Sequence, residues 1–135
     1  MEPLERLRAK ISGFPGYDEE IERRRSDEYV RSYLGEALAD LSARCALPTE
    51  LQRRVDELVL RVGFADQRSF APNRAFAGKG SIDGGDVAVA DAATIELADR
   101  AASLDAASAA TYLDDVVAAL DEREAAIRAA TLKMM

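Results

Sequence analysis

Residues 30–45 read VRSYLGEALADLSARC, and the spacing of their apolar side chains decides the fold class. Val30, Tyr33, Leu34, Ala37, Leu38, Leu41 and Cys45 recur at intervals of three and four, which puts them on one face of an α-helix. Upstream the same helix takes in DEEIERRRSDEY, residues 18–29. There Asp18 can cap it, and Glu19 and Glu20 suit the positive end of its dipole. The helix is expected to run to about Ala46. Gly35 in its middle costs about 1 kcal/mol relative to alanine, so a kink or a closely approaching neighbour is expected there.

Similar stripes recur on both sides. Leu4, Leu7, Ile11 and Phe14 mark a short N-terminal helix, closed by Gly13, Pro15 and Gly16 before Tyr17. Pro48 separates the long helix from the next, where Thr49 and Gln52 have the spacing of a capping box. Leu51, Val55, Leu58, Val59 and Val62 then share a face. Residues 71–86, APNRAFAGKGSIDGGD, hold a proline and four of the eight glycines and are expected to form a long loop. From Val87 the chain is alanine-rich and helical. SLDAAS at 103–108 divides it into helices over about 87–103 and 106–132, with Asp105 as the second cap. Ala109, Tyr112, Leu113, Val116, Leu120 and Ile127 face one way in the last helix. With no fixed-period repeat and no sustained strand pattern, the expected fold is all-α: one domain over residues 1–135. It is an antiparallel bundle of four to five helices, with residues 1–17 and the loop as accessories.

The 135 residues are 48% hydrophobic and 32% charged, the mix of a folded chain of one-domain size. The net charge of −7 is uneven. Residues 1–80 carry 14 basic and 14 acidic side chains, whereas residues 81–135 carry 4 and 11. An acidic C-terminal half repels phosphate backbones, so nucleic acid is not an expected partner. The single cysteine, Cys45, excludes an intrachain disulfide and is expected to be a buried structural residue. MEPLERLRAK lacks the apolar core of a secretory signal, and no apolar run approaches the ~20 residues that span a bilayer. The expected location is cytoplasmic, without membrane insertion.

Motifs that could carry chemistry fail on spacing or composition. AGKGS has Gly80 after Lys79 and Arg74 where a phosphate loop needs its first glycine. No glutamate stands twelfth from Asp83 in DGGD, as a calcium loop requires. The sequence contains no histidine, which removes the commonest general base and the commonest ligand of transition metals. Asp114 and Asp115 are adjacent and so diverge on a helix. Neither catalytic residues nor cofactor or metal ligands are assigned, and the expectation is a protein without enzymatic activity.

Arginines 23–25 fan out through about 200° and cannot make one patch. Glu19, Arg23 and Asp27, and one residue on Glu20, Arg24 and Glu28, read as solvated i, i+4 ladders. Arg25 differs, because it falls between Ile21 and Tyr29 on a side stripe away from the main face. That stripe is the expected seat of the N-terminal helix, with Arg25 stacked on an aromatic ring or paired with an acid.

LRAKISGFPGYDEEIERRRSDEYVRSYL, LVLRVGFADQRSF and LDEREAAIRAA together resemble a family of small all-helical bacterial proteins in which a Pro-Gly-Tyr turn precedes an acid- and arginine-rich helix. The resemblance covers about 45–50 residues and implies an all-helical fold without bringing an activity. The expected role is therefore a protein–protein interaction or assembly module, binding another protein or a second copy of itself. Its partner surface is expected to comprise Ile21, Arg25, Tyr29, Phe70 and Phe76. The alternative is a sensor of a small molecule or metal ion, with a pocket inside the bundle and residues 71–86 as its lid.

Overall fold

A computed structural model describes residues 1–63 and 85–134. Within them the chain forms five α-helices and no strand, an all-α bundle as the apolar spacing requires. The helices are α1 (Pro3–Lys10), α2 (Glu20–Arg44), α3 (Thr49–Gly63), α4 (Gly85–Arg100) and α5 (Ala106–Met134). A 3-10 turn, Ala101–Ser103, separates α4 from α5, so the C-terminal half is two helices. Helix α4 starts at Gly85, which makes Gly85 and Asp86 its first turn rather than the end of the expected loop. The rest of that loop, including Phe76, lies outside the described residues, as does Phe70.

The caps match sequence chemistry only in part. Glu19, not Asp18, caps α2: its backbone N–H donates to Glu22 in a reciprocal capping box. At the start of α5, Asp105 accepts from the Ser108 backbone N–H while the Ser108 hydroxyl oxygen accepts from that of Asp105. The Ser108 bonds hold the Asp105 carboxyl below its ordinary range. Helix α3 begins at Thr49 itself. The Gln52 side chain accepts from Ser42, which ties α3 back to α2, and donates to Asp56 within α3.

Contacts between helices fix their order. Gly35 of α2 lies beside Val62 of α3, and Ser42 beside Gln52, so α2 and α3 form an antiparallel hairpin. Tyr112 of α5 donates to the Leu97 carbonyl and Arg123 pairs with Asp91, so α4 and α5 form another. Between hairpins the matching runs parallel: Asp27 lies near Asp91 through Arg123, and Tyr33 near Asp99. Arg54–Asp114 and Arg61–Asp121 likewise align α3 with α5. Around the bundle the order is therefore α3, α2, α4, α5, with α2 and α5 on a diagonal.

Two apolar clusters fill the interior. Leu34, Leu38, Leu41, Val55, Leu113 and Val116 belong to one; Leu7, Phe14, Val30, Val87, Ile95 and Ile127 belong to the other. The α2 stripe read from residues 30–45 supplies Val30, Leu34, Leu38 and Leu41 to them. Cys45 is half-buried rather than buried, its thiol toward the Leu104 carbonyl.

Gly35 faces α3, where an added Cβ would meet Val62 Cγ2 at 3.4 Å. That distance is ordinary van der Waals contact, so the glycine gives up helix propensity for little steric need. Gly35→Ala is expected to raise stability by about 0.5–1 kcal/mol. Urea unfolding of the two proteins checks this, and a loss of stability would mean that α3 cannot yield.

Candidate functional site

The N-terminal turn is built from glycines with positive φ and held by side chains. Gly13 and Gly16 have φ of 78° and 99°, which favour residues without a Cβ. Arg8 of α1 donates to the Phe14 and Pro15 carbonyls. The Ser26 hydroxyl donates to the Gly16 carbonyl and accepts from its N–H. Arg23 donates to the carbonyls of Tyr17 and Asp18. Phe14 and Tyr17 meet edge-on, with ring centroids 5.9 Å apart.

These bonds correct the ladder reading. Arg23 and Asp27 are buried, whereas Arg25 is exposed. The cause is periodicity: Arg23, Asp27, Val30 and Leu34 continue the α2 core stripe toward its N-terminus at intervals of four, three and four. Of the two ladders, the exposed Arg24–Glu20 pair survives, at 3.2 Å. Burial lowers the proton affinity of Arg23, while Glu20, Asp18 and Glu22 oppose that shift.

Tyr17 leads into the centre of the bundle. Its hydroxyl donates to Asp91 at 2.5 Å. Arg123 donates to Asp91 through Nε at 2.5 Å and to Asp27 through Nη2 at 2.6 Å. The other Asp27 oxygen accepts from Arg31, 2.9 Å away, and Arg31 also donates to the Val62 carbonyl at the end of α3. One connected network thus joins the turn to all four long helices. Among the described residues its two arginines balance its two aspartates, and the Arg123 and Asp91 side chains are 2% and 1% exposed.

Burial and charge act in opposition here. Burial alone would lower the pKa of Arg123, but Asp91 and Asp27 outweigh it and raise that pKa above the ordinary value. Burial raises the proton affinity of Asp91, with Arg123 and the Tyr17 hydroxyl pulling the other way. Burial, then Asp91, pushes the Tyr17 hydroxyl far above its usual range, so it remains a donor. These groups are sealed from solvent and already engaged, so the arrangement provides a means of fixing helix order rather than a place for a substrate. Sequence reasoning missed Asp91 and Arg123. Extending the α5 stripe from Leu120 to Arg123 and Ile127 would have found the arginine, because a charged residue at a core position needs a buried partner.

The expected partner surface lies elsewhere. Ile21 is 62% exposed and Tyr29 42%, with exposed Arg25 between them on the outer side of α2. This stripe does not seat α1. Helix α1 lies against α4, where Arg6 pairs with Glu96 and Lys10 with Asp99, while the Phe14–Tyr29 ring contact, at 6.3 Å, links the stripe to the N-terminal segment. The side stripe is one residue off the buried line, so α1 finds a wider apolar surface on α4. Arg25 makes no ion pair or ring contact with another described residue. Asp114 and Asp115 diverge as expected, to Arg54 and Arg100.

Among the described residues, no group of three or more Cys, Asp or Glu side chains is placed to hold a metal ion, and no helix is long and apolar enough to cross a membrane. No protein-family model matches the chain, and no curated protein or solved structure is significantly similar to it.

Proposed function

We propose that the protein works by contact, as a non-enzymatic interaction or assembly module in the cytoplasm. The observation that carries this reading is the exposed line of Ile21, Arg25 and Tyr29, two large apolar side chains flanking a cation that has no described partner. Neither side chain belongs to the two core clusters, although the Tyr29 ring meets Phe14 at their edge, and covering the line would remove apolar area from water. The line offers a partner an apolar strip with one positive charge. Less supports an internal sensor pocket, because Arg123 and its partners take up space between α2, α4 and α5.

The test is capture of partners from the native host together with the solution mass of the purified chain. Ile21→Ala and Tyr29→Ala are expected to weaken the captured complex, or the self-association, by about tenfold each, as anchor residues do. Far-ultraviolet circular dichroism and thermal unfolding of Ile21→Ala should match those of the parent. Unchanged binding in both variants would reject this surface.

A further inference from the structure

A second surface stands apart from the Ile21 line. Helix α2 on one side, and the end of α4 with its 3-10 turn on the other, enclose an open groove of about 660 Å³. Its apolar lining is mostly alanine: Ala37, Ala43, Ala98, Ala101 and Ala102. Such short side chains leave the backbones near the surface, which suits the close approach of another helix. The α2 wall runs from Tyr33 to Arg44, about 16 Å at 1.5 Å per residue, or about three helical turns.

The charge along the groove has one dominant sign. Glu36 and Asp40 line it from α2, and Asp99 from α4. Tyr33 and Lys10 bond Asp99, but Glu36 and Asp40 pair with no cation among the described residues. They stand four apart on one helix face, where like charges repel by a few tenths of a kcal/mol. The one arginine in the lining, Arg44, is engaged by the Ala101 and Leu104 carbonyls at the groove's end. A second copy of this chain, itself at −7, is a poor electrostatic match.

We propose that this groove docks a basic amphipathic helix of a different protein, with small apolar residues set on the alanine floor and lysines or arginines spaced to meet Glu36 and Asp40. Tyr33 and Arg44 mark the two ends of the bound segment. The proposal does not depend on the Ile21 surface.

The experiment uses the full chain and a displayed library of amphipathic peptide helices of about three to four turns. Peptides recovered should carry lysine or arginine beside an apolar face. Their amide chemical-shift effects on the protein should centre on residues 33–44 and 98–102. The double variant Glu36→Lys/Asp40→Lys, at exposed positions, should bind them about tenfold or more weakly, while Ile21→Ala binds them as the parent does. Raising salt from about 0.1 M to about 0.5 M should also weaken binding. The proposal is overturned if no peptide is recovered, if those recovered lack basic residues, if the shifts centre elsewhere, or if the charge-reversed protein binds equally well. A dimer of the parent chain that the double variant dissolves would assign the groove to a second copy and overturn it too.

Discussion

Replacing Arg123 by methionine is expected to cost about 3–5 kcal/mol of folding stability, because it leaves buried carboxylates without their shared cation. Methionine fills much of the arginine stem's volume, so the loss comes mainly from charge and hydrogen bonding. Asp27 retains Arg31, but Asp91 keeps only the Tyr17 hydroxyl among its observed donors. The interior then holds one uncompensated negative charge. Urea unfolding monitored by circular dichroism measures the difference, and a loss below about 1 kcal/mol would mean that the network contributes little. The double variant Arg123→Met/Asp91→Asn separates charge from shape. Asparagine still offers an oxygen to Tyr17, and the Asp27–Arg31 pair is left neutral. It should recover about 1–3 kcal/mol relative to Arg123→Met. No recovery would place the loss in packing instead.

Leu113→Ala should lose about 2–5 kcal/mol by a different route. Leu113 is fully buried in the cluster that joins α2, α3, α4 and α5. Its neighbours in sequence are anchored: the Tyr112 hydroxyl reaches the Leu97 carbonyl, and Asp114 meets Arg54. Helix α5 is therefore poorly placed to collapse into the void, which favours a cost well inside that range. Ile21→Ala is the matched control, since trimming a side chain already 62% exposed should change stability by less than about 0.5 kcal/mol. Equal losses at the two positions would contradict the burial pattern on which the bundle rests.

Apolar spacing revealed most of the fold because each helix buries one continuous stripe. Val30, Leu34, Leu38 and Leu41 on α2, and Tyr112, Leu113, Val116 and Leu120 on α5, are buried as spacing requires. The Asp105 cap was legible because its hydrogen bonds close within three residues. Helix order was not, since a stripe says that a face is covered without saying by what. The seat of α1 went astray for that reason: Leu7 is buried with α4, although the α2 side stripe also offered apolar residues. Arg23 and Asp27 illustrate another ambiguity. Charges at i, i+4 look alike whether they face water or lie in the core, and only their alignment with Val30 and Leu34 distinguishes the two. The Ile21, Arg25 and Tyr29 line was legible as being off the core, and the structure leaves it exposed. The acidic groove was not, because Glu36, Asp40 and Asp99 become neighbours only when α2 and α4 run side by side.

The Arg123 network draws one acid and one base from each hairpin, Asp27 with Arg31 and Asp91 with Arg123. Among the described members of the network, neither hairpin contributes a net charge. Alanine-rich seams are smooth, and a shift of one helical turn, about 5.4 Å, would still match grease with grease. Such a slip would part Arg123 from Asp27 and Tyr17 from Asp91. Four polar side chains act as the notch of a key, selecting a single alignment where hydrophobicity would accept several.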